Sequence, residues 1–350
     1  MKFWEKIKNN PHLRKNLITR ASVLKELRVF FSRENFLEVD TPLLVQTPGL
    51  EPYLNPLEVK FLTNRQTLVP AHLITSPEFA LKKLLAAGFE RVFQLNKCWR
   101  GGEPYGGTHN PEFTMIEWYR ANSDYQQLMS DCEQLVHSVH QAVCDANNVP
   151  YDGWLTYRGR KINLSAPWKK LSVKDAWNQY TKLNLDEMLT TERMAETVRA
   201  MGLTVAPDDE FDDLFFKIFL TYIEPQLQKD IPLILYDYPI QLAALARAKQ
   251  EDPRYAERFE LYIGGIEIGN GYSELVDANI QQQRFEIDQA KRRQLGKNVY
   301  TIDTDFIDAL KSGIPPSAGY SIGVDRLVML FTDAASIDDV IYFPASDLFI

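Results

Sequence analysis

Apolar side chains recur first at helical and then at strand spacing along the start of the chain. From Pro11, a residue suited to the first turn of a helix, Leu17, Val23, Leu24, Leu27, Phe30 and Phe31 keep roughly an α-helical period and predict a helix over residues 11–35. Phe36-Leu37-Glu38-Val39-Asp40 then alternates and predicts a strand that stops at Thr41-Pro42. Residues 57–61 and 67–72 flank the polar Thr63-Asn64-Arg65 and read as a hairpin, and residues 77–87 read as a short helix ended by Gly88. Two strand-like stretches, 91–100 and 113–119, enclose a glycine-rich polar loop, 101–111, that is long for a hairpin and therefore a candidate binding loop. A helix over 125–147 follows, then a mixed segment over 152–228 with helices near Val173 and Phe211. Strands at 231–236 and 259–268, a helix at 279–295, a strand at 321–323 and a helix at 325–331 complete the pattern. There is no internal repeat, low-complexity tract or interdomain linker. Strands joined by hairpins and meanders, with helices outside them, predict one α+β domain over residues 1–350, an antiparallel sheet flanked by helices, with 152–228 as an insertion within it.

Composition narrows the function classes. With 350 residues, 45% hydrophobic and 25% charged, the chain has material for a deep core. It lacks an apolar leader and any unbroken apolar stretch near the roughly 18 residues of a membrane span, so a cytoplasmic location without membrane contact is expected. Cys98, Cys132 and Cys144 are odd in number and widely spaced, and are expected as reduced thiols. A net charge of −8 argues against extended nucleic-acid binding, which favours a basic face. The main basic run, Lys2, Lys6, Lys8, Arg14, Lys15 and Arg20, reads as a solvated helical face.

Several residue patterns carry candidate chemistry. In 113–119 the period of two puts Glu117 and Tyr119 on one face and Thr114, Ile116 and Trp118 on the other. A carboxylate there is either an edge residue in water or a receptor for an ammonium group, since burying it unpaired is costly. Glu260 and Glu267 border a glycine-containing segment that runs on through Gly269-Asn270-Gly271-Tyr272-Ser273-Glu274. Glycines within a strand mark close approach by a ligand or another backbone, and bordering carboxylates suit Mg²⁺ shared with phosphate oxygens. Arg100, His109 and Arg326 are candidate phosphate ligands, or ordinary surface ion pairs. Glu133, His137, His140 and Cys144 fall at helical spacing, yet they extend roughly 16 Å along one helix at 1.5 Å per residue, too far to surround one ion.

Taken together these segments resemble the class II aminoacyl-tRNA synthetases of the lysyl, aspartyl and asparaginyl subgroup. Phe36-Leu37-Glu38-Val39-Asp40-Thr41-Pro42 resembles motif 1, residues 91–100 with 109–119 resemble motif 2, and Gly323-Val324-Asp325-Arg326 resembles motif 3. Ile268-Gly269-Asn270-Gly271-Tyr272-Ser273-Glu274-Leu275 is similar to the lysyl branch. Only about thirty residues precede motif 1, too few for the five-stranded anticodon-binding barrel of those enzymes. That architecture resembles the elongation factor P lysyltransferases of the GenX/PoxA type, which attach β-lysine to a lysine of that factor. Ser76 matches the serine of these paralogues where tRNA-charging enzymes usually have alanine. Ser321 stands where the synthetases have glycine and the paralogues alanine, and Arg100-Gly101-Gly102-Glu103 replaces the usual Arg-Asn-Glu, so the loop is one residue longer.

The resemblance implies a ligase that uses ATP and Mg²⁺ to convert lysine or β-lysine to an acyl-adenylate and passes the acyl group to a lysine side chain of elongation factor P. It implies catalytic roles for Arg100 and Arg326. ATP would meet Arg100, Glu103, His109, Asn110, Phe113, Glu260, Glu267, Gly323 and Arg326, with Mg²⁺ on Glu260 and Glu267. Glu117 and Glu274, assisted by Tyr119 and Tyr272, would pair with the side-chain ammonium, Glu78, Asn270 and Tyr272 would face the amino end, and Ser76 and Ser321 would also line the substrate site. Motif 1 implies a homodimer. Alternatives are a lysyl-tRNA synthetase homologue acylating tRNA or a small molecule, with a tRNA acceptor disfavoured by the acidic composition, and a catalytically silent regulatory paralogue.

Overall fold

The computed structural model describes residues 2–349. The first long helix, Pro11–Arg33, begins where the sequence places it because the Asn10 side chain accepts the N–H groups of His12 and Leu13, and Pro11 has no N–H to satisfy. Among the described residues thirteen strands follow: β1 (Leu37–Glu38), β2 (Leu44–Val45), β3 (Leu57–Leu62), β4 (Leu68–Leu73), β5 (Arg91–Trp99), β6 (Glu112–Ala121), β7 (Trp154–Tyr157), β8 (Arg160–Asn163), β9 (Lys169–Ser172), β10 (Leu233–Pro239), β11 (Tyr255–Ile263), β12 (Ile266–Ser273) and β13 (Ser317–Gly323). The main sheet runs β1-β5-β6-β13-β12-β11-β10-β9, beside a three-stranded sheet β2-β4-β3 and the hairpin β7-β8.

The sheet is mixed rather than antiparallel. β5 to β10 pair antiparallel through the middle, but β1 joins β5 and β9 joins β10 in parallel. Both parallel pairs are closed by long crossovers instead of tight turns, which hairpin signals in a sequence do not reveal. The α+β class stands. The expected strand over 36–40 pairs only at Leu37 and Glu38. The expected strand over 259–268 is a hairpin: Gly264 and Gly265 both take positive φ, +63° and +85°, and turn β11 into β12.

One face of the sheet carries the main core. Trp118, Tyr320 and Phe259 pack side by side on β6, β13 and β11, with ring centroids 5.0 and 4.9 Å apart, under the helices Pro11–Arg33, Tyr125–Ala146 and Val324–Thr332. The glycines of β12 serve this face. A Cβ on Gly271 would lie 2.4 Å from the Tyr320 ring, and one on Gly269 would lie 2.1 Å from the Ser321 carbonyl oxygen. The close approach signalled by these glycines is therefore that of the neighbouring strand and its tyrosine.

Residues 152–228 divide. The β7-β8 hairpin joins the main core through Leu155, Tyr157 and Ile162, whereas the helices Val173–Thr181, Thr191–Ala200 and Phe211–Ile218 build a second core around Trp177 and Phe215 against β10. Of the basic run expected as a solvated face, Arg20 is instead buried, pairing with Asp325 at 2.5 Å and donating to Thr114 Oγ1 at 2.7 Å. The three cysteines are free and buried. His137 meets the Tyr151 hydroxyl at 2.7 Å and His140 stacks on Phe331, so neighbours off their own helix engage both. Among the described residues no helix is long and apolar enough to cross a membrane.

Candidate active site

Opposite the core, the same strands present two rows of polar side chains. Register aligns Tyr119, Gly319, Tyr272 and Arg258 in one row and Glu117, Ser321, Asn270 and Glu260 in the next. Alternation explains why a short stretch of sequence serves both sides: residues facing the core alternate with residues facing the cleft. A cavity of about 270 Å³ lies over these rows, bordered by Ser76, Glu78, Arg100, Glu117, Tyr119, Asn270, Tyr272 and Ser321. It is smaller than the roughly 300–1,000 Å³ typical of drug-sized ligands and suits a molecule of amino-acid size.

The inner end of this cavity is built for a cation. Glu117 is buried and accepts the Ser76 hydroxyl at 2.6 Å and the Tyr119 hydroxyl at 2.5 Å; burial, then the charge of Glu78, raise its pKa to about 7. Ser76 also caps the helix Glu78–Ala86 by accepting the Glu78 N–H, which ties the helix start to Glu117. Gly319 leaves space at this end: a Cβ there would lie 2.2 Å from the Tyr119 ring and 2.6 Å from Glu274 Oε1.

The protein places a lysine of its own here. Lys82, one helical turn beyond Glu78, is fully buried and reaches Glu78 at 2.5 Å and Glu274 at 2.6 Å, with its ammonium 5.4 Å from the centre of the Tyr272 ring. Burial would lower the lysine pKa, but Glu274 and Glu78 outweigh it and hold the group protonated. Tyr272 donates to Glu78 at 2.6 Å. Thus Glu274 and Tyr272, expected to serve a substrate ammonium directly, are already engaged with Lys82 and Glu78. The remaining oxygen of Glu274, Oε1, is buried without a hydrogen-bond partner.

At the other end the cleft turns cationic. Arg100 borders both the small cavity and an adjoining one, lies 5.0 Å from the Phe113 ring centre, and keeps a buried Nε with no partner. The adjoining space is lined by Glu103, His109, Asn110, Phe113, Glu267, Gly323 and Arg326. Arg326 donates to the Glu267 carbonyl at 3.2 Å and meets His109 Nε2 at 3.1 Å. Since arginine only donates, His109 accepts through Nε2; burial and Arg326 push its pKa down and keep it neutral. His109 therefore buttresses Arg326 and is not itself a cation. Asn110 is tied at both ends of its amide, donating to the Glu112 carbonyl at 2.6 Å and accepting from the Ala345 N–H at 3.0 Å, so it shapes the loop.

The two carboxylates expected to hold Mg²⁺ differ. Glu267 stands at the cleft, 3.8 Å from Arg326, and burial followed by the charge of Glu260 raises its pKa to about 7. Glu260 is buried and accepts Tyr238 at 2.6 Å, Tyr262 at 2.8 Å and Arg258 at 2.8 Å, which leaves one lone pair on Oε1. The donor set fits a cation held mainly by Glu267 and by phosphate oxygens, with Glu260 as a partial ligand or support.

The sequence that builds this cleft matches a known family. The profile of tRNA synthetases class II (D, K and N) matches residues 4–347. The chain belongs to that family. It is 37% identical over 333 residues to the elongation factor P–(R)-β-lysine ligase of Hamiltonella defensa, covering 94% of each chain. It is 35% identical to the lysine–tRNA ligase of Moorella thermoacetica and 37% identical to that of Legionella pneumophila (strain Corby). Those alignments cover 96% of this chain but 66% and 65% of the tRNA ligases, so the chain spans about two thirds of their length.

The residues singled out from sequence converge on this one cleft, with two exceptions. Glu260 and Glu274 lie behind its surface, the first held by tyrosines and Arg258, the second by Lys82. Sequence reading missed Lys82, although Glu78 and Lys82 at i and i+4 on an expected helix were a usable signal. It also missed Gly319, whose role depends on a side chain from a strand two hundred residues away.

Proposed function

We propose that this protein is an ATP-dependent ligase that activates lysine or β-lysine as an acyl-adenylate and transfers it to a lysine side chain of elongation factor P. The observation that carries the reading is the charge distribution at and behind the small cavity: Glu78 and Glu274 share a single ammonium, Lys82, Glu117 beside them has only hydroxyl donors, and Arg100 stands at the opposite end with an unpartnered Nε. A surplus of carboxylate facing a free guanidinium is the complement of a basic amino acid, with its side-chain ammonium inward and its carboxylate outward.

In this reading Arg100 holds the substrate carboxylate against the α-phosphate of ATP, and the carboxylate oxygen attacks phosphorus as pyrophosphate leaves. Arg326, braced by His109, neutralises the outer phosphates, and the Phe113 ring flanks the nucleotide. Positioning and charge neutralisation suffice for such a step. Mg²⁺, on Glu267 with Glu260 behind it, would screen the phosphate charge. An acceptor amine then attacks the acyl carbon, AMP leaves, and the amine gives up a proton. The likeness to a β-lysine ligase along nearly its whole length supports a protein acceptor, as does the net charge of −8, which suits a basic acceptor surface. We also infer a cytoplasmic homodimer formed through the motif 1 segment. Acylation of tRNA is the second reading, favoured by the likeness to lysine–tRNA ligases. ATP–pyrophosphate exchange tests the first step: lysine and β-lysine should support it, and 2-aminohexanoate, which lacks the side-chain ammonium, should not. Equal exchange with 2-aminohexanoate would overturn the reading.

A further inference from the structure

One carboxylate at this cleft has no assigned partner. Glu51 borders the small cavity beside Ser76, Glu78 and Arg100 and also the wider cleft next to it. Its Oε2 is shielded from solvent and has no hydrogen-bond partner. The side chain folds back over Gly49, where a Cβ would lie 2.2 Å from Oε2, so glycine at that position makes the seat for the carboxylate.

The backbone around Glu51 is held firmly. Arg292, fully buried, donates to the carbonyls of Glu51 at 2.8 Å and Leu54 at 2.9 Å. Lys297 donates to the Pro52 carbonyl at 2.9 Å, and the Tyr53 hydroxyl donates to Asp212 at 2.7 Å. The Gly101 N–H donates to the Asn55 carbonyl at 2.7 Å, which joins this segment to the residue after Arg100. A carboxylate oxygen so placed, shielded from water and without a hydrogen bond, costs stability unless a donor arrives. Burial and the neighbouring Glu78 raise the Glu51 pKa, while its own backbone N–H, Arg100 and Arg292 oppose them.

Resting on the reading of the cavity as a basic amino-acid site, we propose that Glu51 is a specificity-determining residue that receives the ammonium group nearest the substrate's carboxylate. Glu117 at the inner end and Glu51 at the outer end then select a molecule carrying two ammonium groups, and the reach of Glu51 sets where the second can lie.

The test is calorimetric binding of lysine, β-lysine and 6-aminohexanoate, which lacks the second ammonium, to the wild type and to Glu51→Gln. The variant should lose about tenfold or more in affinity for one or both diamino acids, the size expected for losing a charge partner, and change little toward 6-aminohexanoate. Gly49→Ala, which crowds the carboxylate without removing it, should show the same selective loss. Equal weakening for all three ligands, or unchanged binding of both diamino acids to properly folded variants, would overturn the assignment while leaving the underlying reading intact. A wild type that binds neither diamino acid would overturn both.

Discussion

Replacing Glu117 with glutamine isolates charge from shape at the inner end of the cavity. The carboxylate is 4% exposed and takes hydrogen bonds from Ser76 and Tyr119, both hydroxyls that can rotate to suit an amide. The variant should therefore fold. Bound lysine, however, would leave its ammonium in a buried site without a charge partner there, and breaking a buried pair costs about 3–5 kcal/mol. At about 1.36 kcal/mol per factor of ten, kcat/KM in ATP–pyrophosphate exchange should fall by about two to three and a half powers of ten. The pH dependence gives a second readout. Folding raises this carboxyl from its usual 4.5 to about 7, so its stabilising contribution is present below the unfolded value and lost as pH rises through about 7. Free Glu117→Gln should accordingly gain melting temperature relative to wild type above neutrality. Binding runs the other way: an ammonium favours the ionised carboxylate, so wild-type affinity for lysine should rise as pH passes through about 7, and the variant should lose that slope. Near-normal exchange by the variant, or a wild-type affinity flat across this range, would refute the role assigned to Glu117.

Lys82→Met should destabilise the fold by about 3–5 kcal/mol in chemical unfolding at neutral pH, because Glu78 and Glu274 lose their shared cation. Gly319→Ala should raise KM for lysine by about tenfold or more with little change in KM for ATP, since the added methyl meets Tyr119 and Glu274 at 2.2 and 2.6 Å, away from the phosphate end. Chelation of Mg²⁺ should abolish exchange and its return should restore it, while the melting temperature of the free protein stays nearly constant, because Glu260 already has Tyr238, Tyr262 and Arg258 as donors.

Much of the site was legible because strand alternation and fixed motif spacing place side chains without knowledge of tertiary contacts. Glu117 and Tyr119, or Asn270 and Tyr272, share a face wherever their strands pack. The parallel edges of the sheet were not legible, since pairing across a long crossover leaves no local signal at β1 or β9. Lys82 escaped because a lysine on an amphipathic helix ordinarily faces water, and its burial depends on Glu274, which arrives from the end of β12 far along the chain to join Glu78. Arg20 escaped for the same reason, its partner Asp325 lying at the opposite end of the chain. Glu260 reads as an open ligand in the sequence because one of the tyrosines that engage it, Tyr238, arrives from β10, whose pairing with β11 leaves no local signal, while Tyr262 follows two residues along β11 itself.

The most direct test of the central claim is the intact mass of elongation factor P after incubation with this protein, ATP and Mg²⁺, with lysine and β-lysine offered separately and lysine tRNA as a parallel acceptor. The account predicts that the factor gains the mass of one lysyl residue, at a single lysine side chain and with ATP required, while the tRNA stays uncharged. Charging of the tRNA with no change in the factor would contradict it and leave a tRNA ligase in its place.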